Sequence, residues 1–310
     1  MKLVLTVVNY ELIIVRYGEI ALKGKETRRR FEHSLVNNIK NAFSTQNISS
    51  KIENERGRIF IYTPQINDGI DVLKNIFGIT SFSPALKTKS DFKSISKIAL
   101  DIIKGSLNNK TSFAIRATRT GTHEFSSQDV AIYVGNEIVK ATKAKVNLTK
   151  PDFKLFIEIR QNNAYLFTEK IRGVGGMPFG TQGNVLAIID SIDSILASWY
   201  LMRRGCKTIF LITKDSYKEN ITSFLKNWFV KSDVVSINSM DKLFENINQI
   251  AFEKKCKAIV TGHIIKDDSN EVIDDIFQLK KQINLPILQP LIAMSEEDIN
   301  NKLKEIRINS

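Results

Sequence analysis

Two cysteines among 310 residues, Cys206 and Cys256, leave no disulfide framework, so a reducing cytoplasm is the expected setting. The three histidines, His33, His123 and His263, are isolated, and no Cys-x-x-Cys or His-Glu-x-x-His occurs. The sequence therefore offers no metal-ligand spacing. A Gly-x-Ser-x-Gly elbow is absent too, and nothing points to a Ser/His/Asp arrangement. No apolar run approaches the ~18–20 residues needed to span a bilayer. The opening stretch to Tyr17 is apolar, but Asn9, Glu11 and Arg16 interrupt it and no small-residue cleavage site follows. It reads as a strand, not a signal peptide. With 43% hydrophobic and 25% charged residues, the composition excludes a disordered, collagen-like or disulfide-scaffold chain.

What is present in excess is positive charge, and it is unevenly placed. The formal net charge is +12. Residues 1–180 hold 28 of the 45 basic residues but 16 of the 33 acidic ones, so the whole excess lies there and residues 181–310 are neutral. A basic part joined to a neutral part suggests a polyanion-binding module attached to something else. No basic amphipathic helix with a Trp/Phe/Leu face appears, which favours nucleic acid over a membrane surface.

Hydrophobic periodicity divides the chain. Leu12 to Val15 reads as a buried strand. The loop Leu22-Lys-Gly-Lys25 then feeds a helix from about Glu26 to Phe43, with Phe31, Leu35, Ile39 and Ala42 as its apolar stripe. Strands at Lys51–Glu55 and Arg58–Thr63 join through Arg56-Gly57, a helix covers Gly69–Phe77, and Ile79–Lys87 returns as a strand. This βαββαβ order is that of a ferredoxin-like sandwich. A second unit has a helix from Phe92 to Ile103, a strand at Ser112–Arg116, a helix from Ser126 to about Thr142, and a hairpin turning at Gln161-Asn-Asn163. Five of the 15 glycines crowd into Gly173 to Gly183, a linker or a working loop. Strands at Val185–Ile189, Lys207–Thr213, Val234–Ile237 and Ala258–Val260 then alternate with helices at Ser194–Arg204, Glu219–Val230 and Lys242–Lys254. That alternation predicts a doubly wound parallel sheet. The expected domains are 1–88, 89–172 and 173–310.

Two basic clusters stand out. Lys23, Lys25, Arg28, Arg29 and Arg30 gather at the start of a predicted helix, where positive charge opposes the dipole by ~0.3–1 kcal/mol per residue. Phosphate oxygens would explain charges kept at such a cost. Arg116-Ala-Thr-Arg119-Thr-Gly-Thr122 places two guanidiniums and three hydroxyls at the end of a strand, which suits sugar–phosphate contacts to folded RNA. A third candidate is the turn Ile189-Asp190-Ser191-Ile192-Asp193-Ser194. In an α/β sheet such a turn is where phosphates meet a helix N-terminus, and Asp190 or Ser191 alternatively only caps the helix.

These segments together resemble the tRNA 4-thiouridine synthetase family, the ThiI-like tRNA sulfurtransferases also linked to thiamine biosynthesis. Arg16-Tyr-Gly-Glu-Ile-Ala-Leu-Lys-Gly-Lys25, Arg28 to Glu32, and Phe77-Gly-Ile79 through Ser83-Pro84 resemble its N-terminal ferredoxin-like domain. Arg116 to Arg119 with Phe125-Ser-Ser-Gln-Asp129 resembles a THUMP domain. Gly173 to Gly180, Tyr200-Leu-Met-Arg-Arg-Gly205, Val260-Thr-Gly262 and Leu288-Gln-Pro-Leu-Ile292 resemble a PP-loop ATPase domain.

The resemblance implies tRNA as partner, bound at its elbow and acceptor region through Arg16, Lys23, Lys25, Arg28, Arg116 and Arg119, with the Gly173 to Gly183 loop facing the acceptor end. It also implies ATP-dependent adenylation of uridine 8 and replacement of the activated oxygen by sulfur carried on a cysteine. Here the sequence departs from the family. The PP-loop pattern Ser-Gly-Gly-Ile-Asp-Ser becomes Ile189-Asp190-Ser191-Ile192-Asp193-Ser194, and the glutamine nine residues beyond Gly262 becomes Glu271. A carboxylate ~4 Å from a phosphate charge costs of order ~4 kcal/mol at an effective dielectric near 20, about a thousandfold in affinity. A Mg²⁺ held by Asp190 or Asp193 would offset part of it. The sequence ends at Ser310 before the place of the family's sulfur-carrying cysteine, and no rhodanese domain follows, so a short form is expected. Cys206 and Cys256 match no family motif and read as structural thiols. The expectation is a tRNA-binding protein with a degenerate nucleotide site, no catalytic residue and no metal site of its own. It would work beside a separate catalytic subunit or sulfur donor protein. The alternative is an active sulfurtransferase using ATP, Mg²⁺ and an external sulfur donor.

Overall fold

The computed structural model describes residues 9–55, 57–237, 243–265 and 271–308. Residues 1–8 of the expected opening strand, Arg56 of the expected hairpin turn and Lys242 of an expected helix start lie outside them.

The first part of the chain runs β1 (Leu12–Arg16), α1 (Lys25–Thr45), β2 (Lys51–Glu55), β3 (Arg58–Tyr62), α2 (Ile66–Leu73) and β4 (Ser81–Lys89). It continues through α3 (Phe92–Ile103), β5 (Ser112–Thr120), α4 (Ser127–Thr142), β6 (Lys145–Val146), β7 (Phe153–Arg160), β8 (Asn163–Phe167) and β9 (Ile171–Arg172). The second part is β10 (Asn184–Ile189), α5 (Ile192–Arg203), β11 (Lys207–Ile212), α6 (Lys218–Asn227), β12 (Val234–Ser236) and α7 (Leu243–Glu253). It ends with β13 (Cys256–Val260), α8 (Glu271–Gln282), β14 (Ile287–Leu288) and α9 (Glu296–Glu305). Among the described residues no helix is long and apolar enough to cross a membrane.

Contacts gather the described residues up to Arg16, with Asn47–Val72 and Ser81–Arg172, into one compact unit. Tyr17–Gln46, Leu73–Thr80 and the described residues from Gly173 onward form another. In the first, the strand order β2-β3-β1-β4 with antiparallel pairs is the ferredoxin-like arrangement. The strand β4 then pairs with β8 and carries the ladder on through β7, β5 and β6, so the ferredoxin-like and THUMP strands share one nine-stranded sheet. The sheet is rolled. Phe60 of β3 and Tyr165 of β8 lie three strands apart, about 14 Å in a flat sheet, yet their rings stack at 4.6 Å. Leu12, Ile14, Phe60, Ala85, Tyr165 and Phe167 fill the concave side, while α3 and α4 cover Leu155, Ile157 and Ile159 on the other face.

The second unit holds the five-stranded parallel sheet β12-β11-β10-β13-β14. Alternation along β10 sends Val185, Ala187 and Ile189 into the core with Trp199 and Leu303, and Leu186 and Ile188 into the core with Ile247 and Ile283. Both faces are covered, as the doubly wound expectation requires. The first strand in sequence is flanked by β11 and β13, which puts the topological switch point at the carboxyl ends of β10 and β13.

Candidate functional site

β5 leaves the core halfway along its length. Phe113, Ala114 and Ile115 are buried, whereas Arg116, Thr118, Arg119 and Thr120 are exposed. The short β6 pairs with Ser112 and Phe113 alone, so beyond them β5 has only β7 as ladder partner among the described residues. Arg116 and Arg119 are three positions apart, and in a strand that sends them to opposite faces. Register agrees, with Arg116 beside Phe156 and Arg119 beside Ile159. The Arg116 guanidinium donates to the Leu148 carbonyl, and Arg119 Nη1 donates to the Gly121 carbonyl at 3.2 Å.

Next to Arg119 the fold assembles a row of rings that no linear pattern signalled. His123 packs on Phe125 with centroids 5.2 Å apart, Phe125 on Phe92 at 5.0 Å, and Phe92 stacks on Tyr133 at 4.9 Å. A capping box between Ser126 and Asp129 starts α4 and fixes Phe125 just ahead of it, in one cluster with Val130. Tyr133, on α4, is 38% exposed. Such a row beside a guanidinium offers stacking faces to unpaired bases.

In the other unit, Lys25 and Arg28 lie in the first turn of α1 and Lys23 just precedes Gly24, the N-cap, which brings no side-chain hydrogen bond. Lys25 is exposed; Lys23 and Arg28 are half-buried. Uncapped N–H groups and two to three cations at a helix start suit an anion.

Arg16 does not belong with these surface cations. It is 9% exposed, donates to Ser83 Oγ at 3.0 Å, and pairs through Nη2 with Glu158 Oε2 at 3.3 Å. Burial pushes its guanidinium pKa down, and Glu158 opposes that. As the last residue of β1 it faces the concave side with Ile14, so Arg16, expected on the tRNA-binding surface, is instead buried and braced by Ser83 and Glu158.

At the switch point the turn after β10 and the turn after β13 meet. A Cβ on Gly262 would lie 2.4 Å from Ser194 N and 2.9 Å from Asp193 C, so only glycine lets the second turn touch the first turn of α5. Ile189 is buried inside β10 and Asp190 is exposed directly after it. Ser191 is the N-cap. Its Oγ accepts from Ser194 N at 3.3 Å, and Ser194 Oγ accepts from Ser191 N at 3.3 Å and donates to Ser191 O at 2.6 Å. Asp193 is half-buried in the same turn. The N–H donors that would meet a triphosphate are thus partly taken by the helix's own hydroxyls, and the carboxylate of Asp190 stands where the family's pattern has a glycine. The residues present do not fit a triphosphate tail. The backbone of Glu271 opens α8, but its side chain lies outside the described residues, so its part in the cleft has no geometry. Among the described residues no group of three metal-ligating side chains gathers.

The glycine-rich segment is held by packing. A Cβ on Gly173 would fall 2.3 Å from the Ile79 carbonyl oxygen, and one on Gly176, at φ +76°, 2.1 Å from that of Arg203. Gly175 N donates to Ile79 O, Gly78 N to Gly175 O and Met177 N to Arg203 O. Its glycines allow close backbone approach, so the segment expected as a linker or a working loop is a packed one. Both thiols are shielded: burial pushes Cys206 up, and Cys256 up to about 11.

Comparison with known proteins bears on this geometry. Residues 12–83 match the ThiI ferredoxin-like domain, 89–169 the THUMP domain, and 216–309 the family described as thiamine biosynthesis protein (ThiI). The "Probable tRNA sulfurtransferase" of Methanothermobacter thermautotrophicus is 34% identical, over 97% of this chain and 85% of that protein. Its namesake in Methanosarcina acetivorans is 40% identical, over 93% and 79%. The crystal structure of PH1313 from Pyrococcus horikoshii Ot3 superposes with a TM-score of 0.84 at 31% identity, covering 96% of this chain and 99% of that one. A 4-thiouridine synthetase solved as an RNA complex with bound ATP shares the fold, at TM-score 0.77 and 24% identity over 96% and 85%. With ferredoxin-like, THUMP and parallel-sheet parts all in the order the residues implied, the chain belongs to the tRNA sulfurtransferase family.

Proposed function

We propose that this chain binds tRNA through its ferredoxin-like and THUMP domains, over the boundaries 1–88 and 89–172, and lacks autonomous ATP-dependent thiolation. Residues 173–310 then form a degenerate PP-loop domain that keeps the sheet of the family. The tRNA-facing cations are Lys23, Lys25, Arg28, Arg116 and Arg119, with the His123 to Tyr133 ring row taking unpaired bases. The reading rests on the capping box between Ser191 and Ser194 beside the exposed carboxylate of Asp190. No triphosphate binds such a helix start at the strength an open glycine loop provides. Shielded thiols support it, since a thiol with a pKa near 11 carries little thiolate at neutral pH. The protein would present tRNA to a separate catalytic subunit or sulfur donor.

The test is paired. Titration with ATP–Mg²⁺ is expected to give no binding below millimolar, while tRNA binds with an affinity that falls steeply with salt. Submillimolar ATP binding would instead support an active sulfurtransferase with an external sulfur donor. Loss of 4-thiouridine at position 8 in a deletion strain, rescued by the chain with Cys206 and Cys256 both replaced by Ser, would show that the chain is needed and that its own thiols are not.

A further inference from the structure

The concave side of the rolled sheet ends, at one rim, in a knot of charge that neither the surface cations nor the switch-point cleft uses. Arg16 is the last residue of β1, Arg58 the first of β3 and Arg160 the last of β7; the antiparallel register brings Arg16 and Arg58 to one end, and the roll of the sheet, not register, brings Arg160 to them from the other end of β4. One carboxylate serves them. Glu158 Oε1 is 2.7 Å from Arg58 Nε and 3.4 Å from Arg160 Nη1, and Oε2 is 3.3 Å from Arg16 Nη2. A fourth cation joins from above: Lys170 Nζ sits 4.8 Å from the Phe156 ring centroid, and Arg16 Cζ 4.7 Å from that of Phe167. Those two rings stack at 5.2 Å and 8°, so they carry the two cations side by side. The remaining carboxylate nearby, Glu55, is half exposed and 3.9 Å from Arg160 Nε.

Three guanidiniums thus share two carboxylates, and Lys170 stands beside them. Arg16 and Arg160 are each 9% exposed, and among the described residues no carboxylate lies within ion-pair distance of Lys170. Charges as deep as Arg16 and Arg160 are retained when counter-charge and hydrogen bonds compensate them, and Arg58 and the exposed Lys170 add positive charge toward solvent.

We propose that the rim is a binding site for a phosphoryl group, with Arg58 and Lys170 at its mouth and Arg16 and Arg160 as its floor. Arginine forks match tetrahedral oxyanions through several N–H donors in fixed geometry. The Ser83 hydroxyl holds the Arg16 fork in place, and Glu158 keeps the guanidiniums together when the site is empty. The excess of charge is felt by its members. Burial lowers the Lys170 pKa, and the neighbouring Arg16 charge lowers it further. The phosphoryl group belongs either to an RNA backbone or to free inorganic phosphate. The site stands on its own contacts and holds whether or not the tRNA reading does.

The experiment is isothermal titration of the full chain with sodium phosphate, at ionic strength held constant with sodium chloride. One phosphate is expected to bind the wild-type protein. Lys170→Met, at an exposed position, should weaken it about tenfold, the loss of a single charge-assisted contact. Arg58→Gln should weaken it similarly, and Lys97→Met, an exposed lysine on α3, should not. Repeating the titration with tRNA-saturated protein separates the sources. Loss of the phosphate signal assigns the site to an RNA-borne phosphate, and persistence assigns it to the free ion. Equal phosphate affinity in wild type and Lys170→Met, or no phosphate binding by the wild type, overturns the proposal.

Discussion

The nine-stranded sheet and the five-stranded sheet handle charge in opposite ways. The first takes it in. Arg16, Arg58, Arg160 and Glu158 sit at a rim of the rolled sheet, and Arg116 and Arg119 extend along a strand that, among the described residues, is paired there on one side alone. The second leaves negative charge at its functional end, on Asp190 and Asp193. Its helix start at the switch point is closed by the neutral hydroxyls of Ser191 and Ser194, with Asp190 outside. A sheet whose strands curl together can gather distant side chains and pair them, whereas a parallel sheet offers a crevice whose character depends on one turn. A few substitutions in that turn therefore change its chemistry, while the basic unit depends on side chains contributed by many strands.

Five experiments probe this contrast. Glu158→Ala would leave the buried guanidiniums of Arg16 and Arg160 and the half-buried one of Arg58 without their shared carboxylate, and a loss of about 3–5 kcal/mol is expected in urea unfolding. Retention of full stability would mean the charges are less buried than they look. On the other sheet, Asp190→Gly combined with Ser191→Gly should raise ATP–Mg²⁺ affinity about a thousandfold by removing the facing carboxylate and the self-cap. An unchanged affinity would show that the cleft is closed by something other than that turn. Gly176→Ala, with φ +76° and the Arg203 carbonyl 2.1 Å away, should lower stability by about 3 kcal/mol. Gly180→Ala, also at positive φ but facing open space, should cost about 1 kcal/mol, and equal costs would contradict the packing role of Gly176. The smallest effect is expected for Arg119→Ala, which should flatten the salt dependence of tRNA binding by about 0.7–0.9 in log–log slope.

Much of the fold was legible because periodicity is local. The helix expected at Glu26–Phe43 is Lys25–Thr45, the strand expected at Val185–Ile189 is Asn184–Ile189, and the helix expected from Ser126 begins there with its capping box. Weaker patterns escaped. The two-residue strands β6, β9 and β14 are too short to show alternation, and α8 and α9 are polar enough to read as loops. In the sites, Gly262 and the turn after β10 were legible as a pair through the family pattern, and the structure brings them into contact. The burial of Arg16 was not legible, because an arginine at a strand end reads the same whether its partner is a phosphate or a glutamate 142 residues away. Phe92, His123, Phe125 and Tyr133 escaped notice because their row exists only once β5, α3 and α4 have packed.

The amino-acid order alone determined the succession of strands and helices, the basic front and neutral back, and the altered turn at Ile189 to Ser194. These are properties of neighbouring residues, set by backbone preference and by side-chain alternation. Tertiary structure decided which arginines are surface and which are interior, that the glycines near 175 serve close packing, and that the hydroxyls of Ser191 and Ser194 close the start of α5. Burial and pairing depend on residues far apart in the chain, and only the rolling of one sheet and the winding of the other bring those residues together.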